Sequence, residues 1–354
     1  MCMNWFYEKI NTLSKLNTYE KPLCKGLIKM NSNENFVIDK QYQTNILNNA
    51  AKNCDVRIYP NNHHEFIKCL SKHHKISSNE IAIGSGSDQI IDLLLANFAT
   101  KKTRILVSSP TFSFFEARCK LYSIKTTNVP FSNSMILDLD EFVSKSAHAD
   151  MIYLDSPNNP TGFQFSKANL VKIIKNFEGP ILLDEAYCDF ARYSALELIK
   201  KHNNLLILKT FSKAFGFAGL RLGYLVANQN ITDIFMRSIQ YPYPISSLTL
   251  EAGRLLLQNI KKFSSVIDLI KTERDKMITN LRKLKVFEVF NSQANFILFD
   301  AKDNYLRIYT ALAEQGILIR KLGKIGNHKG CLRVTIGTKD MNSKFLLAIR
   351  DLLL

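Results

Sequence analysis

One lysine sits where chemistry needs it. Lys213 lies in Thr210-Phe211-Ser212-Lys213-Ala214-Phe215-Gly216, directly after the apolar run Leu205-Leu206-Ile207-Leu208, and Arg221 follows eight residues later. A lysine amine condenses with an aldehyde to a Schiff base, and an aldehyde cofactor carrying a phosphate also needs hydroxyl and cationic partners. Ser212, Lys213 and Arg221 supply those three groups. In isolation, a strand followed by a basic surface loop would read the same way.

Other polar clusters follow apolar runs in the same manner. Gly84-Ser85-Gly86-Ser87-Asp88-Gln89 precedes a very apolar helical stretch that begins at Ile90. Its glycines let the backbone approach a ligand, and the free amides and dipole of the helix start favour an anion. A plain turn and cap is the alternative, and a dinucleotide fingerprint fails at Gln89, where its third glycine should stand. Pro110-Thr111-Phe112 presents a ring at a strand end, either to stack on a flat ligand or as a core side chain. Ser156-Pro157-Asn158-Asn159-Pro160-Thr161-Gly162 reads as a rigid loop holding Asn159 as a hydrogen-bond donor, or as a simple turn.

Asp184-Glu185-Ala186-Tyr187 follows Ile181-Leu182-Leu183. An acid directly after a buried apolar strand is costly without a partner. A protonated pyridine nitrogen would be one for Asp184, with Tyr187 offering its hydroxyl to a phenolic oxygen of the same ring. A metal is the rival partner, but no nearby histidine or acidic cluster completes a ligand set.

Nearer the C-terminus, Arg320 ends one strand pattern and Arg333 lies within another, residues 331–336. A hairpin centred on Gly326-Asn327 would set the two arginines opposite each other. Facing like charges destabilise a sheet, so the pair makes sense around a carboxylate or phosphate. Two ordinary surface arginines are the alternative. His63-His64 and His73-His74 lie in polar stretches without cysteines, and no metal is expected there. His202 and His328 fall in loops.

The elements that must carry these groups alternate. Short apolar runs at 81–83, 104–107, 151–154, 181–183, 205–208 and 222–226 read as strands, with amphipathic helices such as 139–145 and 169–177 between them. That alternation predicts an α/β fold with a mostly parallel sheet, buried on both faces because the strands are continuously apolar. Ligands of such sheets sit at the carboxyl ends of the strands, where the clusters above fall. From about residue 246 the character changes to a long helical stretch over 247–284, broken near Ser264-Ser265. Three short strands at 295–299, 316–320 and 331–336 and a helix over 341–353 follow, a smaller α+β domain. The expected division is an N-terminal segment (1–38) packing on the small domain, a large domain (39–245) and a small C-terminal domain (246–354).

The chain has 354 residues, of which 46% are hydrophobic and 22% charged, enough apolar material for a large core. The net charge of +16 is spread in ones and twos rather than in basic blocks, which favours anionic small substrates over nucleic acid. No apolar run approaches a membrane span. Seven cysteines without a CxxC pair read as reduced and buried, and the start lacks a signal-peptide pattern. A cytoplasmic protein is expected.

Taken together and in this order, the motifs resemble the fold-type I pyridoxal-phosphate aminotransferases over nearly the whole chain. The resemblance implies an aspartate-aminotransferase-like large domain and pyridoxal 5'-phosphate as cofactor. It makes Lys213 the Schiff-base lysine and proton-shuttling base, and Asp184 the partner of the pyridine nitrogen. Asn159 and Tyr187 would bind the ring hydroxyl, with Phe112 at the ring-stacking position. Ser87, Asp88, Ser212 and Arg221 would form the phosphate cup, and Arg333 would grip a substrate carboxylate.

Within that class the chain is most similar to the histidinol-phosphate aminotransferases. Tyr19 matches their N-terminal tyrosine segment and Asn35 their substrate-side Asn-Glu-Asn. Tyr59 matches the tyrosine that reaches a neighbouring subunit's cofactor phosphate, and Tyr243 another substrate-side tyrosine. With Arg320 and Arg333 they imply a homodimer with shared sites that exchanges an amino group between L-histidinol phosphate and 2-oxoglutarate, a step of histidine biosynthesis. An aromatic amino acid aminotransferase or a phosphothreonine decarboxylase-like lyase is the alternative. Phe36, Gln89 and Phe112 depart from the family pattern.

Overall fold

The computed structural model describes residues 4–16 and 28–353. Tyr19 lies outside them. The first elements are α1 (Asn4–Ser14), β1 (Ile28–Lys29), α2 (Lys40–Asn53) and α3 (His63–His74). An alternating run follows: β2 (Ile81–Gly84), α4 (Gly86–Phe98), β3 (Arg104–Ser109), α5 (Ser113–Leu121), β4 (Lys125–Pro130), α6 (Leu139–Ser146), β5 (Met151–Asp155), α7 (Lys167–Lys175) and β6 (Ile181–Asp184). Then come β7 (Leu205–Thr210), β8 (Gly223–Val226), α8 (Gln229–Ile234), α9 (Ser247–Gln258) and α10 (Lys261–Lys283). The chain closes with β9 (Glu288–Val289), β10 (Phe296–Asp300), α11 (Tyr305–Glu314), β11 (Ile317–Leu318), β12 (Arg320–Ile325), β13 (His328–Thr335) and α12 (Lys339–Asp351).

Seven strands form one sheet in the order β2-β8-β7-β6-β5-β3-β4. The pairs from β7 to β4 are parallel, and β8 runs antiparallel to both β7 and β2. The expected mostly parallel sheet is therefore present, with one reversed strand. Its strands are continuously apolar because both faces are covered. Ile152, Leu154, Leu183 and Ile207 belong to the core on one face. Tyr153, Leu182, Leu206 and Leu208 belong to the core on the other. Each leucine buried this way stabilises the fold by roughly 1.5–3 kcal/mol relative to an exposed one. The edge strand β4 escaped the sequence reading because Lys-Thr-Thr-Asn is polar and exposed along it.

A four-stranded antiparallel sheet, β12-β13-β10-β9, forms a second layer with α10, α11 and α12. β1 pairs in parallel with β11, so Ile28 and Lys29 dock beside Ile317 and Leu318. The long helical stretch is broken at Asn259-Ile260, not at Ser264-Ser265, which lie inside α10. The Ser265 hydroxyl donates to the Lys262 carbonyl, so the helix accommodates it. Arg320 opens β12 rather than closing a strand, and His328 opens β13 rather than lying in a loop. Five cysteines are described, all free; Cys119, Cys188 and Cys331 are buried, while Cys54 and Cys69 are only partly so. Among the described residues no helix is long and apolar enough to cross a membrane.

Candidate active site

β3, β5, β6 and β7 end at one edge of the large sheet, and β12 and β13 of the small sheet close over that edge. Between them lies a cavity of about 340 Å³. It brings together Ser87, Asp88, Phe112, Asn159, Asp184, Tyr187, Ser212, Lys213, Arg221, Arg320 and Arg333. Asp88 and Arg221, 133 positions apart in sequence, meet here because Asp88 opens the helix after β2 and Arg221 lies in the loop after β7 on that edge.

One end of the cavity is built for an anion. Gly86 starts α4 in a left-handed conformation (φ +80°), and the first-turn amides of the helix point outward. Gly223 backs this turn; a Cβ there would lie 2.5 Å from the Ser87 amide nitrogen. Arg221 Nη2 donates to Asp88 Oδ2 at 2.8 Å, and its Nη1 reaches Ser212 Oγ at 3.4 Å. Amides, two hydroxyls and a guanidinium together make a phosphate cradle. Gln89 stands just behind it, where its Oε1 accepts from the Ser85 amide at 2.7 Å.

The floor is Asp184. Ala186 N donates to its Oδ1 at 2.9 Å and the Tyr153 hydroxyl to its Oδ2 at 3.2 Å. Burial pushes this carboxyl up to about 6, against the pull of those two hydrogen bonds. A cation in the cavity would restore the ionised form. Lys213 stands nearby, its Nζ donating to the Ser32 carbonyl at 3.0 Å and lying 5.6 Å from the Tyr187 ring centre.

Tyr187 and Asn159 line the opposite wall. The Tyr187 hydroxyl accepts from Asn33 Nδ2 at 2.9 Å, and burial raises its pKa to about 12, so it stays a donor. Arg333 Nη1 donates to Asn159 Oδ1 at 2.5 Å. A guanidinium has no acceptor, so it fixes the amide orientation and leaves Asn159 Nδ2 as a donor. Arg333 Nη2 donates to the Asn31 carbonyl at 3.0 Å. Arg320 faces Arg333 in the β12–β13 register, as a hairpin around Gly326-Asn327 requires.

Three expected residues do not line this cavity. Asn35 is buried beneath it, donating from Nδ2 to the Ala214 carbonyl at 2.8 Å and so holding the residue after Lys213. Tyr59 and Tyr243 stack on each other at 4.4 Å on the outside of the molecule, 72% and 53% exposed. They reach no group of this site within one chain.

Lining residues not singled out as site residues include Asn33, the first residue of the Asn-Glu-Asn motif, with Asp155, Glu116 and Lys324. Asn33 sits at φ +57°, which asparagine tolerates, and Thr335 and Asn295 fix its backbone. Asp155 ends β5 beside Asp184 on β6. It accepts from Thr111 Oγ1, Asn158 Nδ2 and the Asn159 amide, and burial raises it to about 7. Its signal was present, since Tyr-Leu-Asp closes an apolar strand as Leu-Leu-Asp does at Asp184. Glu116 and Lys324 also line the wall, and nothing local in the sequence singles them out.

Comparison with known proteins places this site in a family. Residues 23–349 match the family described as aminotransferase class I and II. A histidinol-phosphate aminotransferase of Thermoanaerobacter pseudethanolicus is 32% identical over 332 residues, 92% of this chain and 93% of the relative. The chain therefore belongs to the class I and II aminotransferases and is an aminotransferase enzyme. A histidinol-phosphate aminotransferase from Sinorhizobium meliloti, solved in complex with pyridoxal-5'-phosphate, superposes with a TM-score of 0.87 at 22% identity, covering 97% of this chain and 96% of that one. The L-threonine-O-3-phosphate decarboxylase from Porphyromonas gingivalis superposes with a TM-score of 0.80 at 23% identity, covering 92% and 99%. The fold is the aspartate-aminotransferase-like one.

The donor set fits pyridoxal phosphate. The cradle of α4, Ser212 and Arg221 suits its phosphate. The buried Asp184 suits a protonated ring nitrogen, Asn159 Nδ2 and the Tyr187 hydroxyl suit its ring oxygen, and Lys213 suits its aldehyde. The Cβ-free backing at Gly223 keeps the cradle open.

Proposed function

We propose that this aminotransferase exchanges an amino group between L-histidinol phosphate and 2-oxoglutarate, giving imidazole-acetol phosphate and glutamate, with pyridoxal phosphate as cofactor. The observation that carries the substrate choice is the cationic wall, where Arg320, Lys324 and Arg333 line one cavity opposite the phosphate cradle. Histidinol phosphate has no carboxylate; its phosphate would stand where the carboxylate of glutamate stands in the other half-reaction. Relatives such as the T. pseudethanolicus enzyme carry the same name at 32% identity.

When bound, the cofactor supplies an electron-withdrawing ring that acidifies the hydrogen on the substrate's amine-bearing carbon. The chain's own groups do the rest. Asp184 holds the proton at the ring nitrogen. Lys213 Nζ would take the proton from that substrate carbon as general base and give it up again as general acid to the former aldehyde carbon of the cofactor. Asn159 and Tyr187 orient the ring oxygen, and Ser87, Asp88, Ser212 and Arg221 form the phosphate cup. Phe112, which lines the cavity, would stack on the ring. Arg320 and Arg333 clamp the anionic group of either substrate.

A homodimer, acting in the cytoplasm, belongs to the same reading. The exposed stack of Tyr59 and Tyr243 is where a second subunit would present both tyrosines to its neighbour's site. The division into residues 1–38, 39–245 and 246–354 belongs to the same reading, with α9 packing back on α2 and α3 of the large domain. A second reading, a lyase acting on a phosphorylated amino acid, is favoured by the fold of the P. gingivalis decarboxylase and by the same cationic wall.

The test is a panel of amino donors with and without phosphate, read by 2-oxoglutarate-dependent glutamate formation and by carbon dioxide release. Turnover of histidinol phosphate far above histidinol and the aromatic amino acids supports the proposal. Preference for an unphosphorylated aromatic donor, or carbon dioxide from phosphothreonine, sinks it.

A further inference from the structure

Away from the cavity, three potential ligands converge at the far end of the β12–β13 hairpin. Glu288 on β9 and Asp300 on β10 are directly paired across their ladder. Like charges in that position destabilise a sheet unless a cation lies between them. His328 opens β13 and points its Nδ1 at both, 3.4 Å from Glu288 Oε2 and 3.4 Å from Asp300 Oδ2. The three ligand atoms all lie within 4.8 Å of one another.

Two of these side chains are pre-set. Asp300 and His328 are 4% and 6% exposed. Asp300 Oδ1 accepts from the amides of Lys302 (2.8 Å) and Gly330 (2.9 Å), which leaves Oδ2 to face inward. His328 Nε2 donates to the Asn133 carbonyl at 2.8 Å. A carbonyl only accepts, so Nε2 carries the hydrogen, which leaves Nδ1, aimed at two carboxylate oxygens, as the nitrogen whose lone pair a metal would take. A backbone carbonyl behind the ring is the usual second partner of a metal-bound histidine.

The spacing separates a metal from a proton. A charge-assisted N–H···O bond closes to about 2.7–2.9 Å on one oxygen. Here the nitrogen is equidistant from two oxygens. Two ligands about 2.1 Å from a tetrahedral ion lie about 3.4 Å apart, which is the spacing from His328 Nδ1 to each of the two oxygens. The fourth position opens into a recess of about 410 Å³, also lined by Asn133, Lys302, Asp303, Asn327 and Lys329. Lys329 is turned toward Asp303, 3.6 Å away.

We propose that Glu288, Asp300 and His328 form a tetrahedral divalent-cation site of the zinc class, with water or a small anion as the fourth ligand. It ties the hairpin whose other end carries Arg320 and Arg333 to the Asn133 loop of the large sheet.

The test uses the tag-free, cofactor-loaded protein, stripped with a chelator and titrated with Co²⁺. Intense visible d–d bands saturating at one Co²⁺ per chain, and reversed by Zn²⁺, are the expected result. Glu288→Gln, at a half-exposed position that leaves the fold alone, should weaken Co²⁺ binding by about tenfold or more, and His328→Gln should abolish the bands. Absence of tetrahedral bands in the parent protein, or bands that survive in Glu288→Gln at unchanged affinity, overturns the proposal and leaves a histidine–carboxylate ion pair.

Discussion

Arg320 and Arg333 stand directly opposite each other on neighbouring antiparallel strands, two like charges in register at the mouth of the cavity. They differ in what else they hold. Arg333 also fixes Asn159 and the Asn31 carbonyl, so it serves the ring site as well as the anion end. Arg320→Ala should therefore raise KM for a phosphorylated donor about 10- to 100-fold, the loss of a charged hydrogen bond worth roughly 1.5–3 kcal/mol, with a smaller change in kcat. Arg333→Ala should lower kcat as well, because Asn159 loses the donor that sets its amide. Steady-state kinetics on both variants check this, and equal effects of the two on kcat would refute the division of labour.

In the proposed reaction Lys213 shuttles the proton at the substrate carbon. Lys213→Ala should lower kcat by at least about 10²–10⁴-fold, the usual range for losing a general base. Borohydride reduction of the parent protein should leave the cofactor covalently on the Lys213 peptide, and mass spectrometry of the variant should find none. Turnover near the parent level in Lys213→Ala would falsify the assignment.

How much of this was open to a reader of the sequence depends on the range of the interactions. Asp184, Lys213 and Arg221 were legible because each breaks a local rule, a charge beside a buried strand or a cation in a small-residue loop. The arginine pair was legible because a hairpin's register can be counted. Lys324 and Glu116 obey their local context, and only the packing of two sheets brings them to the cavity. Asn35 was legible as a motif but not as a contact, since its partner, the Ala214 carbonyl, lies 179 residues away. His328 looked like a loop residue because its strand begins with His-Lys-Gly, polar and flexible, before the apolar run starts.

The two buried carboxyls give a pH dependence with a definite sign. Folding raises Asp155 to about 7 and Asp184 to about 6, from an ordinary 3.8. Between those values the folded protein holds protons that the unfolded chain gives up. Raising pH therefore favours unfolding across that window, until both groups ionise. Cofactor-free protein should lose thermal stability as pH rises from about 5 to 7.5, by roughly 2 °C or more. Asp155→Asn should flatten that slope. Thermal scans of the two proteins across this range test it, and an identical slope in the variant would show that Asp155 is not the titrating group.

Gly223 supplies a test of the phosphate cradle that leaves every polar group in place. A methyl group there meets the Ser87 nitrogen at 2.5 Å and the Gly86 carbonyl carbon at 2.7 Å, both backbone atoms that cannot swing aside. Gly223→Ala should push the first turn of α4 out of line and weaken pyridoxal phosphate binding by about tenfold, roughly 1.4 kcal/mol. Equilibrium dialysis with circular dichroism as a fold control measures it. Parent-level affinity would mean the phosphate sits elsewhere.

Tyr59 tests whether sites are shared between subunits. It is exposed and stacked on Tyr243, away from its own chain's cavity, so in the proposed dimer it would act on a neighbour's. Tyr59→Ala should weaken cofactor binding, and Lys213→Ala should be inactive. In a mixed dimer of the two, one site combines the intact Lys213 of one chain with the intact Tyr59 of the other, and the second site carries both defects. Random mixing makes half the dimers mixed, each with one good site of two, so activity should recover to about a quarter of the parent's. Dissociation, mixing and assay at limiting cofactor give the number. Mixtures no more active than the average of their two parents would mean that each chain completes its own site, and that the tyrosine stack serves some purpose other than catalysis.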